Sequence, residues 1–267
     1  LQKLQTLGQS PWQDNISRDQ LVSGMLQDMV NDGDITGLTS NPTIFQQAIS
    51  GSNDYDVTIS KLSSMGFDAE DIFYALASED IMQAADIFKP VYDSTGGTDG
   101  FVSLEVSPRL AMDTSETVSE AIELWGKVNR PNLMIKIPAT IPGLEAIKMA
   151  VSAGINVNVT LCFSAAQALL AAKAGANFIS PFVGRLDDNG HDGIGLIREI
   201  AKVFCHNRTD TKILAASVRD AATVGKAFQA GAHICTIPPK VFDDMYKHVL
   251  TDKGLFQFII DSGQINP

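Results

Sequence analysis

The segment LMIKIP, residues 133 to 138, decides the fold of this chain. It is short and apolar except for Lys136, which is typical of a strand buried in a parallel sheet. Segments of the same kind recur and alternate with longer stretches of helical period. In residues 115 to 128, for example, Val118, Ile122 and Trp125 recur at three- to four-residue steps. This alternation indicates β-α units around a parallel sheet.

Eight strands of this kind are predicted along the chain. They are PWQDNI (11 to 16), ITGLTS (35 to 40), FVSLEV (101 to 106), LMIKIP (133 to 138), INVNVTL (155 to 161), ANFISPF (176 to 182), KILAAS (212 to 217) and HICTIP (233 to 238). Eight strands favour a closed (β/α)8 TIM barrel. The alternative, a doubly wound open sheet, usually has fewer strands and a Gly-rich first turn.

The connection between the second and third strands is unusually long. Residues 54 to 93 lie within it and remain rich in spaced apolar residues, so they predict two extra helices and not a linker. The glycine cluster STGGTDG, residues 94 to 100, precedes a strand and is predicted to be an ordinary loop. Residues 1 to 267 are expected to form a single barrel domain.

The composition argues against several functions. A net charge of −11 without any Lys/Arg-rich stretch disfavours a nucleic-acid or anionic-membrane partner. No apolar run approaches the ~20 residues that span a bilayer. The histidines show neither HxxxH nor HxH spacing, and the three cysteines form no CxxC pair, so no metal site and no disulfide is expected. Residues 1 to 10 carry no secretion signature, and a cytoplasmic location is predicted.

The carboxyl ends of barrel strands carry active-site side chains, and Lys136 is the clearest candidate there. Apolar neighbours disfavour its ammonium form, and a neutral amine is what attacks a ketone. The alternative is a structural lysine paired with Glu105, but a buried ion pair is costly, which favours a chemical role. Polar residues follow every predicted strand except the last.

Glu105 and Thr160 are predicted to assist an amine at Lys136. A Schiff base forms through a carbinolamine that must lose water, and this step needs a proton donor and acceptor nearby. The alternatives are an ion pair between Glu105 and Arg109 and an ordinary strand role for Thr160, since β-branched residues favour strands.

Asp14 ends the first strand and can take a proton from a substrate hydroxyl during carbon–carbon cleavage. It could instead cap the following helix, although Ser17 is better placed for that. Asn41 and Asn158 could orient substrate hydroxyls, or each could be a turn or core hydrogen-bonding residue.

Arg185 and Arg219 follow adjacent predicted strands, with Ser217 close to Arg219. Guanidinium groups bind phosphate bidentately, and barrels often bind phosphate near their last strands. The alternative is that both are ordinary surface arginines. Ser180 is among the last residues of the sixth predicted strand, and Phe182 is expected to pack at the mouth.

At these residues the chain resembles the transaldolase family. The matching segments are LTSNPTIF (38 to 45), VSLEVSPRLAMDT (102 to 114), NLMIKIPAT (132 to 140), INVNVTLCFS (155 to 164), FISPFVGRLDD (178 to 188) and ILAASVRD (213 to 220). The family reaction moves a dihydroxyacetone unit from sedoheptulose 7-phosphate to glyceraldehyde 3-phosphate in the non-oxidative pentose phosphate pathway. The products are erythrose 4-phosphate and fructose 6-phosphate, and the resemblance implies no metal or organic cofactor.

The resemblance also implies a role for each candidate residue. Lys136 would form the Schiff base, Asp14 would be the acid/base for bond cleavage, and Glu105 with Thr160 would hold the catalytic water. The remaining roles are sugar binding by Asn41 and Asn158, phosphate binding by Ser217, Arg185 and Arg219, and lining of the site by Ser180 and Phe182. Sugar phosphates are then the expected partners, and a homodimer is compatible with the sequence.

Two other functions are considered. A fructose-6-phosphate aldolase of the same superfamily would release free dihydroxyacetone, and Glu105 argues against it because the aldolases position the water with neutral side chains. A barrel without catalysis, which only binds sugar phosphates or partners, is disfavoured by the presence of Lys136, Glu105 and Asp14.

Overall fold

Eight parallel strands form a closed barrel in the computed structural model, which describes residues 7 to 263. They follow one another around the barrel in chain order, and the last strand pairs with the first. The strands are β1 (Ser10–Asp14), β2 (Leu38–Thr39), β3 (Val102–Glu105), β4 (Leu133–Pro138), β5 (Val157–Cys162), β6 (Phe178–Pro181), β7 (Lys212–Ala215) and β8 (Ile234–Ile237). The predicted (β/α)8 barrel is confirmed.

Thirteen α-helices accompany these strands within residues 7 to 263. They are α1 (Arg18–Val22), α2 (Met25–Asn31), α3 (Pro42–Ser50), α4 (Asp56–Ser64), α5 (Ala69–Ser94), α6 (Thr114–Val128), α7 (Ile141–Ser152), α8 (Ala165–Lys173), α9 (Val183–Asp187), α10 (Gly193–Asn207), α11 (Ala221–Ala230), α12 (Pro239–Asp244) and α13 (Val249–Asp261). A 3-10 turn, Pro108–Leu110, follows β3.

The connection between β2 and β3 contains the predicted extra helices. Residues 54 to 93 form α4 and nearly all of α5, and α3 precedes them. Residues 95 to 99 form turns and bends, and three glycines, Gly96, Gly97 and Gly100, have positive φ, as predicted for a loop at residues 94 to 100. α3 begins directly after β2, so its first turn lies at the carboxyl end of that strand.

The strands separate two apolar cores. In β4, Leu133, Ile135 and Ile137 pack outward against the helices, whereas Met134 and Lys136 point into the barrel. This alternation follows from the two-residue period of a strand. The interior therefore has an apolar lower layer and a polar upper layer. The lower layer consists of Trp12, Phe101, Met134, Phe178, Leu214, Ala216 and Ile234.

Trp12 is the largest side chain of this lower layer and is fully buried. Its ring packs against Phe101 and Phe178, and its Nε1 donates to Asp99 Oδ1 at 2.8 Å. Gly37 leaves room for the ring, since a Cβ at residue 37 would lie 2.4 Å from it. The lower layer is thus closely packed at its centre.

The predicted apolar face of α6 is partly wrong. Ile122 is half exposed, while Val118 is buried and Trp125 is partly buried against the core. The helix also buries Ala121 and Leu124. The buried side of α6 passes through Ala121 and Leu124. Neighbouring helices contact α6 on this side, which differs slightly from the side that its large apolar residues predict.

Within residues 7 to 263, none of the helices combines the length and the apolar character needed to cross a membrane. Residues 1 to 6, on which the predicted location partly rests, lie outside the described residues.

The packing at Gly37 leads to a stability prediction. Gly37→Ala should lower the free energy of unfolding by about 1–3 kcal/mol, because the new methyl group must displace the Trp12 ring from a filled core. The matched control is Gly126→Ala on the exposed side of α6, where an added Cβ meets nothing within 4 Å. This control should gain about 0.5–1 kcal/mol. Urea unfolding followed by Trp fluorescence measures both, and equal midpoints for the two variants would contradict the packing argument.

Candidate active site

A cavity of about 620 Å³ opens at the carboxyl ends of the strands. Ten of the eleven predicted site residues line it, namely Asp14, Asn41, Glu105, Lys136, Thr160, Ser180, Phe182, Arg185, Ser217 and Arg219. The eleventh, Asn158, is the register partner of Lys136 on the neighbouring strand and is fully buried. The structure therefore brings together residues from seven strand ends of the chain.

Lys136 and Glu105 form a buried ion pair at the base of this cavity. Lys136 Nζ lies 2.9 Å from Glu105 Oε2, and only 5% and 9% of the two side chains are exposed. Nζ also donates to the backbone carbonyl of Ser40 at 2.8 Å. The two residues face each other because β3 and β4 pair with Glu105 beside Lys136. An amine and a carboxylate able to take its proton are thus in direct contact.

Arg109 does not pair with Glu105. Its guanidinium lies 2.8 Å from Glu70 Oε2 at the exposed surface, so the proposed alternative partner of Glu105 is wrong. The cation that contacts Glu105 is Lys136.

Thr160 enters the cavity from β5 with an unsatisfied hydroxyl. Its Oγ1 is buried and has no hydrogen-bond partner among residues 7 to 263. Just beyond it the register between β5 and β6 shifts, and Leu161 adopts a left-handed conformation with φ of 54°. A bulge of this kind redirects a side chain near the end of a strand, and here Leu161 lines the cavity. Because buried hydroxyls are normally bonded, Thr160 is suited to hold a ligand group or a water molecule.

Asp14 lies on β1, three strands from β4 around the barrel. Thr39 Oγ1 donates to its Oδ1 at 2.7 Å. Burial is the largest influence and raises the pKa of Asp14, while the Thr39 hydrogen bond and the charges of Lys136 and Arg219 lower it. Ser17 caps α1, as expected, so Asp14 is not needed as a helix cap. A carboxylate whose pKa is raised is a stronger base than an ordinary aspartate, which suits it to take a proton from a substrate hydroxyl.

The two asparagines have structural contacts. Asn41 Oδ1 accepts from the backbone N–H of Ile44 and caps α3, although the residue still lines the cavity. Asn158 donates to Ser103 Oγ at 3.2 Å and accepts from Ser180 Oγ at 2.7 Å. The alternative of a core hydrogen-bonding residue therefore describes Asn158, while Ser180 connects it to the cavity.

Two arginines stand at the rim. The Arg185 guanidinium lies over the Phe182 ring, 5.0 Å from its centroid. Arg219 pairs with Asp188 at 3.0 Å, and both side chains are about half exposed. Such an exposed pair is weak, so Arg219 is easily turned toward an anion in the cavity.

Two segments at the rim of the cavity, one with Ser217 and one with Gly184, approach each other closely. Ser217 has a left-handed backbone with φ of 63°, and its carbonyl would collide with a Cβ at Gly184 in α9. Both segments carry an arginine, Arg185 in α9 and Arg219 two residues after Ser217. The glycine thus allows the two guanidinium groups to share one rim.

Six polar lining residues were not predicted from the sequence, namely Asn15, Thr39, Thr43, Gln47, Thr236 and Lys240. Thr39 belongs to β2, Thr236 belongs to β8, and Lys240 lies in α12. The expectation that the last strand contributes no polar side chain is wrong, because Thr236 Oγ1 lies 2.6 Å from Thr39 Oγ1. The two-residue period of HICTIP could have indicated it, since Thr236 shares the inward side of β8 with Ile234. Within residues 7 to 263, no three His, Cys, Asp or Glu side chains gather as a metal site would require.

Comparison with known proteins connects this geometry to a family. The transaldolase of Saccharopolyspora erythraea is 43% identical over 216 residues, which cover 80% of this chain and 56% of the relative. The transaldolase of Thermobifida fusca is 50% identical over 164 residues, covering 61% of this chain and 45% of the relative. A probable transaldolase of Desulforamulus reducens is 46% identical over 185 residues, covering 69% of this chain and 83% of the relative.

The chain thus spans about half the length of the first two relatives. The model of the family described as transaldolase/fructose-6-phosphate aldolase matches residues 11 to 265. Because this match includes all eight strands and the whole cavity, the chain belongs to the transaldolase/fructose-6-phosphate aldolase family.

Proposed function

We propose that this barrel is a transaldolase that carries a dihydroxyacetone unit on Lys136 from a ketose phosphate to an aldose phosphate. The observation that carries the proposal is a buried lysine whose amine contacts a carboxylate at the base of the cavity. The donor would be sedoheptulose 7-phosphate or fructose 6-phosphate. These sugar phosphates would assign the enzyme to the pentose phosphate pathway.

The first step is formation of the Schiff base. Glu105 takes a proton from the Lys136 ammonium, and the neutral amine attacks the C2 carbonyl of the ketose. A proton passes from the attached nitrogen to the former carbonyl oxygen, which gives the neutral carbinolamine, and Glu105 then returns its proton to that hydroxyl so that it leaves as water. A protonated imine then joins Nζ to C2. The free hydroxyl of Thr160 supports this step because it can hydrogen-bond the departing water.

The second step is cleavage between C3 and C4. Asp14 removes the proton of the C4 hydroxyl, the C4 aldehyde leaves, and the electrons of the broken bond form an enamine on Lys136. An acceptor aldehyde then reverses the sequence: C3 of the enamine attacks its carbonyl carbon, and Asp14 returns the proton to the new C4 oxygen. The raised pKa of Asp14 supports both directions of this transfer.

The phosphate end of the substrate is assigned to the rim. Arg185, Arg219 and Ser217 line one side of the mouth, where charge-assisted hydrogen bonds to phosphate are strong. Asn41, Ser180 and Phe182 are assigned to the sugar, with Asn158 supporting Ser180. A cytoplasmic location, a homodimer and a single domain over residues 1 to 267 stay predictions.

The Schiff base gives the most direct test. Borohydride reduction in the presence of fructose 6-phosphate should trap a covalent adduct that peptide mapping assigns to Lys136. Lys136→Ala should lose both the adduct and turnover. Lys136→Arg should lose them too while keeping a cation beside Glu105, because a guanidinium stays protonated and does not attack a ketone.

Lys240 provides the matched control for this test, since it also lines the cavity. Lys240→Ala should keep the adduct. An adduct that maps to Lys240, or that survives in Lys136→Arg, would overturn the assignment of the Schiff base.

The phosphate assignment is tested at Arg219. Arg219→Ala should lower kcat/KM for glyceraldehyde 3-phosphate about 10- to 100-fold, mainly through KM, because one charge-assisted hydrogen bond is lost. Unphosphorylated glyceraldehyde should be affected much less. Arg198→Ala, at an exposed position on α10, is the control and should behave as the unmodified enzyme. Equal losses for both acceptors in Arg219→Ala would show that Arg219 does not bind the phosphate.

A substitution at Glu105 tests whether the enzyme transfers the dihydroxyacetone unit or releases it. Glu105→Gln keeps the shape of the side chain but removes the base, so transfer to erythrose 4-phosphate should fall about 10²- to 10⁴-fold. Release of free dihydroxyacetone from fructose 6-phosphate should persist or rise relative to transfer. Coupled assays with and without erythrose 4-phosphate measure both rates. If the unmodified enzyme releases dihydroxyacetone as fast without an acceptor as it transfers with one, the aldolase activity replaces the proposal.

A further inference from the structure

A chain of two hydroxyl groups leads from the last strand to Asp14. Thr236 Oγ1 lies 2.6 Å from Thr39 Oγ1, which in turn lies 2.7 Å from Asp14 Oδ1. The strands that carry them are neighbours, because β1 pairs with β8 on one side and with β2 on the other. The two threonines are at most 3% exposed, so bulk water does not compete with these contacts.

The chemistry of the groups fixes the direction of these hydrogen bonds. An ionised carboxylate only accepts, so Thr39 must donate its single hydroxyl proton to Asp14. Thr39 then has only lone pairs for Thr236, and Thr236 must donate to it. Each hydroxyl thus supports the carboxylate form of Asp14, and hydrogen bonds in such a series strengthen one another.

We propose that Thr236 is a positioning residue that acts through Thr39 to orient Asp14 and to favour its carboxylate form. This inference rests on the proposed function, in which Asp14 takes and returns the C4 proton. Thr236 itself does not contact the carboxyl group. Its role is to supply the hydrogen bond that Thr39 accepts, which holds the Thr39 hydroxyl on Asp14 Oδ1.

Other charged and titratable groups around Asp14 also influence its protonation. Lys136 on β4 and Arg219 after β7 favour its carboxylate, whereas Glu105 on β3 opposes it. Cys235, beside Thr236 on β8, is buried and stays a neutral thiol, because burial and the charge of Asp14 raise its pKa. Burial raises the pKa of Asp14, so the hydroxyl groups act against a large desolvation penalty.

Removing the Thr236 hydroxyl should weaken the support of the carboxylate and raise the pKa of Asp14 further. The carboxylate is the form that takes the C4 proton, so the acidic limb of the kcat profile should move to higher pH. Thr236→Val keeps the shape of the side chain and should lower kcat about 3- to 10-fold, which is the usual effect of one neutral hydrogen bond. KM should change little.

The experiment compares Thr236→Val with Thr236→Ser over a range of pH, using transfer from fructose 6-phosphate to erythrose 4-phosphate. Thr236→Ser keeps the hydroxyl and should recover the acidic limb and most of kcat. Thr211→Val is the matched control, because Thr211 is a buried threonine at the opposite end of the barrel. Its pH profile should equal that of the unmodified enzyme.

Borohydride trapping separates this inference from the proposed function. Schiff-base formation uses Lys136 and Glu105, so Thr236→Val should trap the same adduct as the unmodified enzyme while cleaving more slowly. Absence of an adduct at Lys136 in the unmodified enzyme would refute the proposed function. An unshifted acidic limb in Thr236→Val, or the same shift in Thr236→Ser, would refute only the role of Thr236. If Thr236→Val does not fold, Thr236→Ala must show the shift.

Discussion

The buried contact between Lys136 and Glu105 is the constraint on which the rest of the site depends. Removing two charges from water costs several kcal/mol for each ion, and their attraction offsets this only with good geometry and further hydrogen bonds. The barrel supplies both. Pairing of β3 with β4 aligns the two residues, and the Ser40 carbonyl accepts a second proton of the ammonium. A closed barrel holds these strands in one register, so the pair cannot relax toward solvent.

The layers inside the barrel explain how polar groups are tolerated there. The apolar lower layer around Trp12 provides the packing, and the upper layer places every strand end toward one cavity. Two residues of that cavity, Leu161 and Ser217, have left-handed backbones that L-residues with large or hydroxyl side chains seldom adopt. Such conformations cost about 1–3 kcal/mol each and persist where the surrounding structure enforces them. Because both residues lie at the mouth, we infer that the barrel loses some folding stability in order to place their side chains at the cavity.

The sequence predicted the barrel well because a strand period of two is a local property. LMIKIP shows on its own that Lys136 shares its side of β4 with Met134 and not with Ile135. Partners across the barrel are not local, and these were missed: Thr236 meets Thr39 only after β8 closes on β1. For the same reason the sequence does not show that Arg109, the alternative partner considered for Glu105, pairs with Glu70, which comes from a helix that no strand pattern locates.

The separation of the two carboxyl groups bears on the choice between transfer and release. Glu105 on β3 contacts the lysine on β4, whereas Asp14 lies on β1, and β2 stands between β1 and β3 in the barrel. In the proposed reaction Glu105 serves the C2 oxygen and Asp14 serves the C4 oxygen. Neither group is then assigned to C3, the carbon that must be protonated before dihydroxyacetone can leave. The enamine therefore lacks a dedicated acid, and its most accessible reaction is attack on an incoming aldehyde, which Asp14 assists by protonating the new hydroxyl.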